Sequence, residues 1–203
     1  MTLVLIHGGL WEDGMDAERF WAASGVMGAL RGHGLAVHAP DRPERPESWD
    51  EEASCLEETL PDGPLTVLGA SNGCTTAVRL ALTRPGHVTR LILAWPATCG
   101  DPRADGYARE HLAARGASTG TIDRLLAGQT LRGVTDAELA GLTVPVGVAP
   151  PIPNPFHRRS TVDALLTLVP DSVEIGPGTP EPPRPDFPAH REAFVSAVLG
   201  FVR

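Results

Sequence analysis

Residues 65–82 read Leu65-Thr66-Val67-Leu68-Gly69-Ala70-Ser71-Asn72-Gly73-Cys74-Thr75-Thr76-Ala77-Val78-Arg79-Leu80-Ala81-Leu82. The short apolar run at 65–69 predicts a buried strand. Residues 73–83 predict a helix, ended by Arg84-Pro85-Gly86. Between them lies a Gly-x-Ser-x-Gly pattern centred on Ser71. So tight a strand-to-helix turn forces the serine into a strained backbone region. The flanking glycines leave room for strand and helix to approach. The serine oxygen is then lifted above the sheet, at the positive end of the helix. That context suits a nucleophile. The simpler alternative is a Gly-rich helix start with Ser71 as a plain N-cap.

Working outward, short apolar runs alternate with helical patterns along all 203 residues, without internal repeats. Strands are expected at 3–6 (LVLI), 35–39, 65–69, 90–95, 144–148 and 172–175. Helices are expected at 17–31, 49–60, 73–83, 160–168 and 190–202. Strands with no polar face, alternating with helices, predict an α/β fold with about six mostly parallel strands and helices on both faces. The length favours a single domain spanning 1–203. In such sheets ligands sit beyond the carboxyl ends of the strands, so each functional residue should follow a strand.

Two segments break the rhythm. Residues 101–142 lack strand signals and carry helical patterns near 106–115, 121–127 and 135–141, which predicts a small helical cap over the strand tips. Residues 176–189 hold six prolines: Pro177, Pro180, Pro182, Pro183, Pro185 and Pro188. Proline fixes φ, so this loop is expected to be stiff and extended.

His7-Gly8-Gly9 directly follows the first strand. Backbone N–H groups of Gly9 or Leu10, with that of Asn72, are candidates to hold a developing oxyanion. The bland alternative is a strand ending in a glycine turn. His7 itself is expected to bond to loop backbone.

These pieces, in the order LVLIHGG, VHAPDRP, LTVLGASNGC, RLILAWPA, a late strand and a C-terminal helix preceded by histidine, resemble the α/β-hydrolase superfamily. The resemblance implies a three-layer fold with the first strands of larger members absent, because the chain starts at the strand leading to HGG. It also implies a serine nucleophile, an oxyanion hole and a catalytic triad in the chain order Ser, acid, His. The histidine belongs after the last strand and before the last helix, which selects His190; His157 is the alternative. The stretch matching the family's usual acid reads Asn154-Pro155-Phe156-His157, with an amide where the acid is expected. Asp101, after the strand ending in Trp95, is the first candidate for the acid. Asp105, Asp186 or no acid at all are the other options.

Trp11, Trp95 and Phe156 each follow a strand and are candidates to line a small-molecule pocket; ordinary core packing is the alternative. Cys74 is expected to pack beneath the serine turn.

Composition excludes several classes. The net charge of −8 argues against nucleic-acid binding and against docking on anionic membranes. All 17 basic residues are arginine, which removes Schiff-base, pyridoxal-phosphate and P-loop lysine chemistry. Three irregularly spaced cysteines (Cys55, Cys74, Cys99) suit neither a disulfide framework nor a zinc site, and the odd count suits a reducing compartment. The first residues read as a strand and not as a signal peptide. No apolar run approaches a bilayer span. The expectation is a cytoplasmic protein, monomeric or homodimeric, with a small-molecule substrate and no metal or organic cofactor.

The leading expectation is therefore an esterase-like serine hydrolase acting on a carboxylic ester, thioester or lactone of a small, fairly apolar molecule. The alternatives are a repurposed fold acting as a lyase or cyclase, and a non-catalytic binding protein, both motivated by Asn154.

Overall fold

The structure is a computed structural model and describes residues 2–203. Six parallel strands form one sheet: β1 (Thr2–Ile6), β2 (Ala36–His38), β3 (Leu65–Ala70), β4 (Val88–Ala94), β5 (Val146–Ala149) and β6 (Ser172–Glu174), in the order β2-β1-β3-β4-β5-β6. The order reverses at β1 and β3, so the crevice at their carboxyl ends is where such a sheet takes ligands. Every residue of β3 is buried.

Side chains alternate across the sheet with period two. Val4, Ile6, Leu65, Val67, Leu91, Leu93, Val146 and Val148 face one core. Leu3, Leu5, Leu68, Ala70, Ile92, Ala94 and Ala149 face the other. The first core is closed by α2 (Trp49–Glu57), α3 (Gly73–Thr83) and α7 (Arg159–Leu168). The second is closed by α1 (Val26–Gly32) and α8 (Arg191–Val202). Both faces are thus sealed by apolar burial worth about 25 cal/mol per Å², which is why the strands carry no polar face.

The segment expected as one helix over 17–31 is two. Glu18–Ala22 forms a wide π-helical turn, and α1 begins only after Gly25, whose φ of 79° breaks the helical path. Residues 101–142 hold α4 (Pro102–Ala114), α5 (Thr119–Leu126) and α6 (Asp136–Ala140), but not all of this segment caps the strand tips: Leu131, Val134, Leu139 and Leu142 pack into the first core. Leu112, Ile122 and Leu125 from α4 and α5 pack on Leu10, Trp11 and Trp49, which sets this pair over the loop that follows β1.

The pairing of β5 with β6 outlasts the strands. Ile152 N–H donates to Thr179 O at 2.8 Å, and Thr179 N–H donates to Pro150 O at 3.2 Å. Gly178 permits this approach, since a Cβ there would sit 2.9 Å from Pro151 O. Thr179 Oγ1 also accepts from the Trp95 indole at 2.9 Å. The proline-rich loop is therefore tied to the end of β4 and to the loop after β5. It is not extended throughout, contrary to the expectation from its prolines: Arg184 N–H donates to Glu181 O at 3.1 Å and Phe187 N–H to Arg184 O at 3.0 Å, two turns that precede the short 3₁₀ turn at Phe187–Ala189.

Among the described residues no helix is long and apolar enough to cross a membrane, and no cluster of three or more His, Cys, Asp or Glu could hold a metal ion. All three cysteines are free thiols.

Candidate active site

Ser71 sits between β3 and α3 with φ 52°, a left-handed conformation rarely adopted outside glycine. Two neighbours hold it there. Ser71 N–H donates to Ala94 O at 2.9 Å, and Ser71 O accepts from Cys74 N–H at 3.1 Å. A Cβ on Gly73 would lie 2.7 Å from His7 O and 2.8 Å from Ile6 O, so only glycine lets α3 start against the end of β1. Beneath the turn, Cys74 is fully buried and its thiol donates to Gly69 O at 3.2 Å. Burial pushes that thiol up, far from the thiolate.

The loop after β1 is locked from below. The His7 ring donates through Nδ1 to Gly8 O at 2.7 Å and accepts the Arg42 N–H at Nε2, 3.3 Å. Burial, then the Arg42 charge, lowers His7 to about 4, so it stays neutral in this structural role. Above it, Gly9 takes φ 83° and Trp11 takes φ 52°. The N–H groups of Leu10 and Asn72 have no hydrogen-bond acceptor among the described residues, and both residues line the same cavity as Ser71.

The imidazole at Ser71 comes from His157, not His190. His157 Nε2 lies 2.9 Å from Ser71 Oγ. The ring is carried by a tight turn at 154–157 after β5, where Asn154 N–H donates to His157 O at 3.0 Å. Thr98, in the loop after β4, anchors this turn: its N–H donates to Phe156 O at 2.8 Å, and its Oγ1 accepts Arg158 N–H at 3.0 Å. His157 is 5% exposed. Burial, helped by the Arg132 and Arg184 charges, lowers it to about 4.

His190 instead ends the 3₁₀ turn and opens α8. Its N–H donates to Phe187 O at 2.8 Å, and it takes no part in lining the cavity. The loop lines the cavity earlier, at Glu181, Pro182 and Pro183, and the turns closed by Arg184 N–H on Glu181 O and Phe187 N–H on Arg184 O separate these residues from His190.

Asp101 is likewise elsewhere. It is the N-cap of α4, accepting from Arg103 and Ala104 N–H at 3.1 and 3.0 Å, and it pairs with Arg158 at 2.8 Å. Those partners hold its carboxyl low, the Ala104 bond foremost. Asp105 pairs with the buried Arg132 at 3.0 Å, and Asp186 pairs with Arg184 at 3.1 Å. The carboxylate that reaches the site is Glu181, whose Oε2 is 3.5 Å from His157 Nε2. Burial, then the Glu12 charge among the factors raising it, sets Glu181 near 8 against the pull of Arg184 and of the Ser71 hydroxyl.

Glu181 was the residue sequence reasoning missed. Its signal was position: it is an acid enclosed by Pro180 and Pro182, close after the last strand, where a proton-transfer group was expected.

The cavity over Ser71 holds about 430 Å³. Leu10, Met15, Phe20, Leu112, Tyr107 and Phe156 give it an apolar wall, and Arg132, His157 and Glu181 a polar floor. Phe156 is partly exposed and packs on Tyr107 of α4 with centroids 4.9 Å apart. The two tryptophans expected to join it do not. Trp11 is buried against α4 and α5 with its indole N–H on Pro46 O, and Trp95 is fully buried, stacked on Phe194.

Sheet order, positive-φ serine turn and site at the strand ends are those of the α/β-hydrolase fold, and the chain has that fold. Solved structures of this fold cover nearly all of it. A lipase-esterase related protein from Clostridium acetobutylicum ATCC 824 matches with TM-score 0.66 and 11% identity, over 98% of this chain and 93% of that one. The thioesterase domain from the curacin biosynthetic pathway gives 0.65 and 16%, over 98% and 90%. An N-acyl homoserine lactone degrading enzyme gives 0.69 and 14%, over 99% and 93%. No protein-family model matches the chain, and no curated protein sequence is detectably similar to it.

Proposed function

We propose that this protein is a serine hydrolase that cleaves a carboxylic ester, thioester or lactone of a small, largely apolar molecule through an acyl-enzyme on Ser71. The observation that carries this reading is the 2.9 Å contact between Ser71 Oγ and His157 Nε2 on a positive-φ turn at the floor of the cavity. Ser71 attacks the carbonyl carbon. The N–H groups of Leu10 and Asn72, with Gly9 shaping the loop, face the developing oxyanion. Preorganised donors of this kind are worth about 10²–10³ in kcat each. The proton of Ser71 passes to the pair His157 and Glu181 and then to the leaving group, and water releases the acid. The apolar wall fits the acyl or alkyl part of such a substrate, and the lactone-degrading and thioesterase structures of the same fold agree with this class of chemistry.

One observation favours a second reading, in which the site performs a lyase or cyclase reaction or only binds: an amide, Asn154, stands where a serine hydrolase of this fold would orient its histidine with a carboxylate. The test is labelling with a fluorophosphonate probe together with turnover of p-nitrophenyl acetate. Both are expected for the natural chain, and both should vanish in Ser71→Ala. A folded protein that neither labels nor turns over would overturn hydrolysis in favour of the second reading.

A further inference from the structure

His157 touches Ser71, Glu181 stands beside that contact in the same cavity, and the hydrogen bonds behind them decide which one can accept the serine proton. Asn154 Oδ1 accepts the backbone N–H of Phe156 at 2.9 Å and that of His157 at 3.1 Å. Turning the amide over would set its NH₂ against those two donors, so its orientation is fixed. The NH₂ group therefore faces His157 Nδ1, 3.4 Å away. A ring nitrogen facing an NH₂ presents its lone pair, because a proton there would stand hydrogen against hydrogen. A neutral imidazole carries one N–H. It falls on Nε2, the atom 2.9 Å from Ser71 Oγ. A nitrogen that already holds a proton cannot take the one from the hydroxyl. The remaining acceptor is Glu181, with Oε2 3.5 Å from the same Nε2 and the Ser71 hydroxyl acting on its carboxylate.

We infer that Glu181 is the general base for Ser71, and that Asn154 holds His157 as a neutral N–H donor to the serine oxygen. This rests on the hydrolase reading above and names the proton path within it. On attack, the bond from Oγ to the acyl carbon forms, the carbonyl π pair moves onto oxygen, and the hydroxyl proton goes to Glu181. On collapse, the bond to the leaving group breaks, and its electron pair takes that proton back from Glu181. Water then repeats both steps on the acyl-enzyme, yielding the acid and free Ser71. His157 keeps its Nε2 proton throughout and stabilises the negative charge that gathers on Oγ as its proton leaves.

The charged groups facing this centre are Glu12 and Arg184 around Glu181, and Arg132 and Arg184 around His157. Burial outweighs these charges at Glu181 and acts with them at His157, leaving the imidazole neutral and the carboxyl protonated at neutral pH, ionising near 8. A carboxylate base of this kind makes the rate rise with pH through about 8.

The experiment compares kcat/KM for p-nitrophenyl acetate, from pH 5 to 9.5, in the natural chain, Glu181→Gln, His157→Gln and the double variant Asn154→Asp/Glu181→Gln, each checked for folding by thermal melting. Glutamine at 157 keeps an N–H donor but cannot act as a base. Glu181→Gln is expected to lose about 10²–10⁴-fold, the usual contribution of a general base, together with the rise near pH 8. His157→Gln is expected to lose about tenfold or less, in keeping with one hydrogen bond to a charged group. An aspartate at 154 draws the ring proton to Nδ1 and frees Nε2. The double variant should therefore regain at least about tenfold over Glu181→Gln, a fraction of the roughly 10⁴ that tautomer control by a carboxylate is worth. Glu181→Gln retaining activity within tenfold while His157→Gln collapses would overturn the inference and leave the hydrolase reading standing. Loss of both labelling and turnover in the natural chain, or turnover surviving Ser71→Ala, would remove the hydrolase reading and this inference with it.

Discussion

The Arg42 guanidinium and the Glu52 carboxylate form a buried bidentate pair, Nε to Oε1 at 2.7 Å and the second nitrogen to Oε2 at 3.0 Å. Their side chains are 4% and 0% exposed. The pair lies under the loop after β1: Arg42 also donates to His7 O at 2.9 Å, and Thr76 of α3 donates to Glu52 at 2.6 Å. It thereby joins the end of β1, which leads into the loop of Leu10, to α3, which follows Asn72. Removing one partner strands a buried charge. Glu52→Ala is expected to lower stability by about 3–5 kcal/mol, measured by urea unfolding, and to slow fluorophosphonate labelling at pH 7 although Glu52 is no part of the cavity.

Two glycines predict opposite outcomes for the same substitution. Gly73→Ala drives a methyl group onto the carbonyls of Ile6 and His7, which the sheet cannot withdraw. A loss of about 2–3 kcal/mol is expected, with labelling of Ser71 lost as the turn shifts. Gly106 is exposed inside α4 with nothing near its added methyl. Gly106→Ala should raise stability by about 0.5–1 kcal/mol. Differential scanning calorimetry of both variants checks the sign.

The pH dependence of stability follows from the same buried groups. Glu181 is raised from 4.5 to about 8, so between those values the folded chain holds a proton that the unfolded chain has released. Stability falls as pH rises through that window. Glu181→Gln removes the effect. The variant is expected to melt higher than the natural chain at pH 8.5 by the equivalent of a few kcal/mol, and by little at pH 4.5. His7 and His157 act in the opposite direction: both are lowered from 6.5 to about 4. The unfolded chain gains their protons first as pH falls, so stability is lost between those values in both proteins. Melting temperatures across pH 4–9 measure both limbs, and equal gains at the two extremes would show that Glu181 is not buried as described.

The sheet and the serine turn were legible in the sequence because each is written locally. The run Leu65–Gly69, the glycines at 69 and 73, and the HGG after β1 carry their conformational meaning within a few residues. The side chains that gather around Ser71, His157 and Glu181, were not legible, because their placement depends on two loops meeting in space. His157 and His190 each follow a strand, and spacing alone cannot say which ring turns inward. That is decided by Thr98 anchoring the 154–157 turn and by the rungs linking Ile152 to Thr179. Asp101 also follows a strand, but its carboxylate caps α4. Trp11 and Trp95 follow strands as Phe156 does, but their indole N–H groups find buried acceptors, and they pack inward.

The rungs joining 150–152 to 179 have a consequence for how the chain can vary. They fasten together the two stretches that deliver His157 and Glu181, so a residue inserted or deleted in one is transmitted to the other. Changes in length there must come as matched pairs or not at all. The exposed link at Gly116, between α4 and α5, has open space around it and is free to lengthen alone. Drift in loop size among descendants of this sequence should accordingly gather in the roof over the cavity and spare the hinge-pin beneath it.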